Sequence, residues 1–336
     1  MMTKRPLIIT LFLMAATCTL QAQNLTSDSI DVYLKTQVQT RKIPALQMAV
    51  VRGQQIEMSK TYGSASLEHN VAANDNTLFY INSITKAFVG VAVMQLVEAG
   101  KLNTKDPISK YLDSLPVAWQ QLTIRQLLSH TSGMPDILDE DENVFPRGEK
   151  AAWARLLKLQ VVSAPGEKFS YNQAGYVIIG KIITKLSGMH FTRFIEEKQF
   201  KAVGMSRSRF GDSFDVVPNS AGAYTMNKFV DGQFVRLQSP GISYIQFPEF
   251  YRGAAGIMST AREMALWVIA LKKGTLISKT SLDDLWKPSI LNNGQIGGFN
   301  SFVNGYALGW PTVTRAEHPA VAPVGGGRNA LAIYLN

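Results

Sequence analysis

The segment from Ala87 to Ala99 constrains this chain more than any other. Phe88, Val89, Val91, Val93, Met94, Leu96 and Val97 do not fall on one stripe of a helical wheel. A helix that is apolar around nearly its whole circumference has to be surrounded by protein, so the fold must place other elements on every side of it. Gly100, after Glu98-Ala99, supplies the stop. At the head of this helix stands Phe79-Tyr80-Ile81-Asn82-Ser83-Ile84-Thr85-Lys86. Positions i and i+3 share a helix face, so the Ser83 hydroxyl and the Lys86 amine can meet. A serine is a poor nucleophile until a base takes its proton. Lysine can be that base when desolvation or nearby positive charge lowers its pKa. An apolar helix and its electropositive N-terminus offer both.

The first twenty-two residues read as a leader rather than as part of the fold. Lys4 and Arg5 are a basic n-region, Leu7 to Cys18 an apolar h-region, and Leu20-Gln21-Ala22 a cleavage site. The run is too short to favour a spanning helix. The expectation is a periplasmic or secreted protein beginning near Gln23, with no stable membrane insertion after cleavage. A lipoprotein modified at Cys18 is the weaker alternative, because Ala15-Ala16-Thr17 makes a poor lipoprotein box. Cleavage would remove the only cysteine, leaving no disulfide, thiol nucleophile or thiolate metal site. At 46% hydrophobic and 18% charged residues, the remainder can build a large core unaided. The net charge is +9, of which Lys4 and Arg5 carry two. No dense basic block occurs, so a solubilising surface is the main reading, with attraction to anionic envelope polymers as the sharper alternative; no nucleic-acid module is recognisable.

Ser27 to Thr40 has helical spacing, and Pro44 closes it. Leu46–Val51 and Ile56–Tyr62 read as a hairpin turning at Gly53. From Leu102 to Gly204 the pattern is mainly helical, with a capping box at Thr123-Ile124-Arg125-Gln126 and an end at Gly133. His130, at a helix end, is read as structural, since Ser83 already has a lysine. Asp136, Asp139, Glu140, Asp141 and Glu142 form a solvated acidic loop. Pro165-Gly166 is a turn before Phe169-Ser170-Tyr171-Asn172-Gln173, and Val177 to Ile183 opens another apolar helix. Tyr171 on that loop could relay a proton beside a lysine, or simply pack its ring. Gly253 to Gly256 reads as a glycine-rich turn into a helix capped by Ser259 or Thr260; without a following Gly-Lys-Ser/Thr it is no nucleotide loop. Gly305–Trp310 and Ala330–Leu335 read as strands around the tight turn Val324–Asn329. Its three glycines could turn main-chain N–H groups toward a ligand, as an oxyanion hole requires, or simply make a plain tight turn.

Taken together, Phe79–Lys86, Leu127–Pro135, Pro165–Tyr176, Ala255–Ala261, Tyr306–Trp310 and Gly325–Tyr334 resemble, in order, the serine β-lactamase and penicillin-binding-protein superfamily, in its class C and esterase-like branch. The resemblance implies an α+β fold: a helix-flanked antiparallel sheet, from about 23–80 and 251–336, joined to a helical part from about 81–250. It implies Ser83 as acylated nucleophile, Lys86 as its activating amine and Tyr171 as proton shuttle. The oxyanion hole would be the backbone N–H groups of Ser83 and Gly326. Gln173, Gly325 and Arg328 are the candidate substrate contacts. No cofactor or metal is implied.

Three departures from the family pattern stand out. Gln173 replaces the asparagine two places after the tyrosine. Pro323-Val324-Gly325 replaces Lys/His-Thr/Ser-Gly, removing the cation and hydroxyl that would hold a substrate carboxylate. Arg328 is a candidate replacement for that cation. The family's further strand and C-terminal helix would follow Asn336, so the chain reads as truncated or as leaving a sheet edge open. The expected activity is that of an exported serine hydrolase acting through an acyl-enzyme on a small-molecule or peptide substrate (an ester, amide or peptide), with weak β-lactamase activity at most. The alternative is a catalytically silent binding or scaffold protein on the same fold. An α/β-hydrolase lacks its Gly-x-Ser-x-Gly elbow here, and His69, His130, His190 and His318 have no ligand spacing.

Overall fold

The computed structural model describes residues 27–137, 148–243, 247–326 and 329–335. The leader, Asp139 to Glu142, Gly327, Arg328 and Asn336 lie outside the described residues. The chain opens with α1 (Ser27–Thr40), the hairpin β1 (Ala45–Arg52) and β2 (Gln55–Ser66), β3 (Val71–Ala72) and β4 (Phe79–Tyr80). The helical part holds α2 (Thr85–Glu98), α3 (Ile124–Leu128), α4 (Glu149–Leu156), α5 (Ala174–Ser187), α6 (Phe191–Ile195) and α7 (Lys201–Val203). It also carries β5 (Arg209–Phe210) and a long hairpin, β6 (Tyr224–Val230) with β7 (Gln233–Ile242). Then come α8 (Arg252–Ala255), β8 (Ile257–Ser259), α9 (Ala261–Lys272), α10 (Lys279–Trp286), β9 (Gly305–Tyr306), β10 (Pro311–Val313), β11 (Ala320–Val321), β12 (Val324–Gly325), β13 (Asn329–Ala330) and β14 (Ile333–Tyr334). The named strands pair antiparallel, in sheets ordered β1-β2-β3, β4-β8-β5 and β14-β11-β10-β9 and in the hairpins β6-β7 and β12-β13.

The apolar helix sits where its sequence requires. α2 is buried from Thr85 to Met94 and again at Leu96, with α5, α6, α8 and α10 packed around it. Phe88 stacks on Trp267 of α9 at 3.8 Å between ring centroids, and Trp267 stacks in turn on Trp310. Fully burying each such side chain contributes about 1.5–3 kcal/mol, so this stack anchors the helix that carries Lys86. Close backbone approach fixes its position further. A Cβ on Gly90 would lie 2.2 Å from the Leu308 carbonyl oxygen, and one on Gly309 2.5 Å from that of Lys86.

Three expected elements differ. Gly305–Trp310 is a strand only to Tyr306; beyond it Gly309 takes φ +90° and turns the chain against α2. Ala330–Leu335 divides into β13 and β14, which pair with β12 and β11 respectively. The glycines at 253–256 are not a loop before a helix: Arg252–Ala255 is one helical turn, followed by β8, and Thr260 caps α9 through the Glu263 N–H. The Thr123 capping box forms as expected, but α3 stops at Leu128, where the chain turns into His130 at φ +58°.

Candidate active site

Ser83 lies in a single 3-10 turn, Asn82–Ile84, leading into α2. The turn is pinned from two sides. Ile81 N–H donates to Ile257 of β8, whose own N–H donates to Thr85 Oγ1. On the other side β12 presses against the same backbone: a Cβ on Gly325 would meet the Ile81 carbonyl oxygen at 2.2 Å. Asn329 of β13 donates to the Tyr80 carbonyl at 2.9 Å. Asn82 takes φ +48°, an uncommon conformation that asparagine tolerates better than most residues. Gly326 takes φ +57° beside the Asn82 side chain, a conformation that glycine accepts freely. The third-motif glycines therefore stand against the turn that carries Ser83, while Val324 beside them is exposed.

Lys86 is fully buried, and three groups converge on its Nζ. It lies 2.7 Å from Gln173 Oε1, 2.9 Å from the Ala254 carbonyl oxygen of α8, and 3.3 Å from Ser83 Oγ. Each partner is itself fixed. Gln173 donates its backbone N–H to Asp136 Oδ1 at the mouth of α5. α8 is clamped at its start by Arg252, which pairs with Asp212, Asp215 and Glu249. Nothing in the sequence pointed to Ala254, because its contribution is a carbonyl rather than a side chain.

Aromatic rings complete the surroundings. Lys86 Nζ faces the Tyr171 ring, 4.8 Å from its centroid, and lies 5.3 Å from that of Tyr176. Tyr176 donates to the Leu128 carbonyl at 2.6 Å. Burial, then the Tyr171 charge at Tyr176 and the charges of Tyr176 and Tyr171 at Tyr306, pushes the phenols of Tyr176 and Tyr306 well above their ordinary range, so they stay neutral. His130 packs against Tyr171 at 4.3 Å and Tyr306 at 4.7 Å. Its Nδ1 accepts the Asn172 N–H, which puts the proton on Nε2, and that atom has no hydrogen-bond partner among the described residues. Burial, then the Lys86 charge, holds the imidazole well below its usual pKa, so it is neutral. A neutral ring wedged behind Tyr171 and bonded to Asn172 orients the Tyr171–Gln173 loop.

The structure thus brings Ser83, Lys86, Gln173 and the Tyr171 ring together, with Gly325 and Gly326 against the Ser83 turn; Arg328 lies outside the described residues. The family model described as Beta-lactamase matches residues 30–336. PbpX of Bacillus subtilis (strain 168), which carries a penicillin-binding-protein name, is 28% identical over 279 residues, covering 79% of this chain and 68% of that protein. Protein flp of Staphylococcus aureus (strain MRSA252) is 26% identical over 298 residues, covering 86% of this chain but only 57% of that protein. Among solved structures, D-amino acid amidase from Ochrobactrum anthropi SV3 superposes with a TM-score of 0.74 over 89% of this chain and 84% of its own, at 21% identity. At that identity the likeness speaks for the fold. No helix among the described residues is long and apolar enough to cross a membrane.

Proposed function

The chain belongs to the Beta-lactamase family, and from that membership and the geometry around Lys86 we propose that it is a serine hydrolase working through an acyl-enzyme on Ser83. The observation that carries this is the convergence of Gln173 Oε1, the Ala254 carbonyl and Ser83 Oγ on one buried nitrogen. A neutral amine has two N–H bonds and one lone pair. Once Lys86 has lost a proton, its two N–H bonds stay on the two carbonyl-type oxygens and the lone pair takes the third direction, toward Ser83 Oγ, where the charged amine donates in the resting structure. General-base assistance of this kind contributes about 10²- to 10⁴-fold.

In the proposed reaction Lys86 Nζ takes the hydroxyl proton as Ser83 Oγ bonds to the substrate carbonyl carbon. The oxygen of the tetrahedral intermediate accepts from the backbone N–H groups of Ser83 and Gly326; one such donor is worth roughly 10²- to 10³-fold. The bond to the leaving alkoxide or amine then breaks, and that group takes a proton passed from Lys86 by way of the Tyr171 phenol. Water repeats the sequence on the acyl-enzyme, releasing the acid and restoring Ser83. Pro323 and Val324 offer neither cation nor hydroxyl, which favours esters, amides and peptides over β-lactams as substrates. The leader-like first twenty-two residues support an exported enzyme.

Pre-steady-state hydrolysis of 4-nitrophenyl acetate tests the proposal. The expected result is a burst of nitrophenol approaching one equivalent per chain, absent in Ser83→Ala. A folded wild-type protein with no Ser83-dependent release would contradict it and favour a binding role.

A further inference from the structure

The loop between α10 and β9 carries an aromatic surface that the acyl-transfer chemistry does not use. Phe299 is 49% exposed, yet one side of its ring rests on the site: 5.2 Å from the Tyr171 ring, 5.2 Å from Phe169 and 5.9 Å from Tyr306. These are the spacings of favourable edge-to-face and tilted ring pairs. The loop holds this pose by its own bonds. Asn300 Oδ1 accepts from the Phe302 and Val303 N–H groups, and Phe299 N–H donates to the Val303 carbonyl. Gly297 allows the loop to lie directly on Phe169, since a Cβ there would come 2.6 Å from that residue's Cβ. A half-bare ring, preset beside Tyr171, whose own ring faces Lys86, offers an apolar face next to a polar, buried centre. Sites of this build orient a ligand by a few polar groups and take most of their contact from apolar walls.

We propose that Phe299, backed by Phe169 and Tyr306, is a specificity-determining wall that receives an uncharged aromatic group next to the scissile carbonyl of the substrate. The kinetic part of its test rests on the hydrolase reading above. The ring that would stack there gains what aromatic pairs gain elsewhere, roughly a two- to tenfold preference over a substrate without it.

The experiment compares 4-nitrophenyl phenylacetate with 4-nitrophenyl acetate on wild type, Phe299→Ala and Phe299→Leu. Phe299→Ala should lower kcat/KM for the phenylacetate about fivefold and for the acetate less than twofold, with Phe299→Leu between. Equal losses on both esters, or none, would overturn the wall. Should wild type hydrolyse neither ester faster than Ser83→Ala, the hydrolase reading fails, and the wall is then decided by binding. Phenylacetamide and acetamide are titrated by ligand-observed NMR into Ser83→Ala and Ser83→Ala/Phe299→Ala. Weaker phenylacetamide binding in the double variant, with acetamide unchanged, supports the wall; unchanged phenylacetamide binding overturns it.

Discussion

The interior and the rim of this site are built in opposite ways. Ser83, Lys86 and Gln173 sit where long apolar helices meet, and their backbone is held by contacts as tight as those of Gly90 and Gly309. The rim is made of two-residue strands, β12 and β13, and of the Phe299 loop, with Val324 of β12 and Phe299 about half exposed. Departures from the family pattern divide along the same line. Inside, Gln173 keeps the amide oxygen on Lys86 despite its extra methylene. At the rim, Pro323 and Val324 discard the usual cation and hydroxyl. The comparison teaches that the geometry around Lys86 is tied to core packing, whereas the rim is free to change without disturbing the core.

Paired substitutions probe this division. Gly90→Ala should destabilise the protein by about 3 kcal/mol in urea unfolding, because a methyl cannot share space with the Leu308 carbonyl. Val324→Ala at the rim should change stability by no more than about 0.5 kcal/mol. Similar losses at the two places would break the comparison. A smaller effect sharpens it within the interior. Gln173→Leu removes one acceptor from a buried amine and should lower kcat/KM on a neutral ester roughly 10- to 100-fold, the cost of leaving a buried donor without its partner. Gln173→Asn, which keeps the amide, should lose less; if both variants act alike, the Gln173 contact with Lys86 is not what holds the amine.

Much of the interior was legible from sequence. The full turn of apolar residues after Lys86 demanded a buried helix, and the i, i+3 spacing placed Ser83 against Lys86, as observed. α1 spans Ser27–Thr40 as its periodicity indicates, and Thr123 caps α3 through the expected box. What escaped the sequence depends on contacts between distant segments. Gly305–Trp310 looks like a strand because it is short and apolar, yet the approach of Gly309 to Lys86 bends it at Tyr306. The Ala254 acceptor is main chain and leaves no mark in residue type. Phe299 lies in a glycine- and asparagine-rich stretch that reads only as loop, and its meaning comes from the three rings it meets.

The central claim is that Lys86 makes Ser83 a nucleophile. Intact-protein mass spectrometry after brief exposure to a fluorophosphonate tests it most directly, using wild type, Ser83→Ala and Lys86→Met, the last chosen to fill the buried space without a base. The expected result is a single adduct on wild type, none on Ser83→Ala, and labelling of folded Lys86→Met slower by about 10²-fold or more. Labelling of Lys86→Met at the wild-type rate, or an adduct that survives Ser83→Ala, would contradict the account.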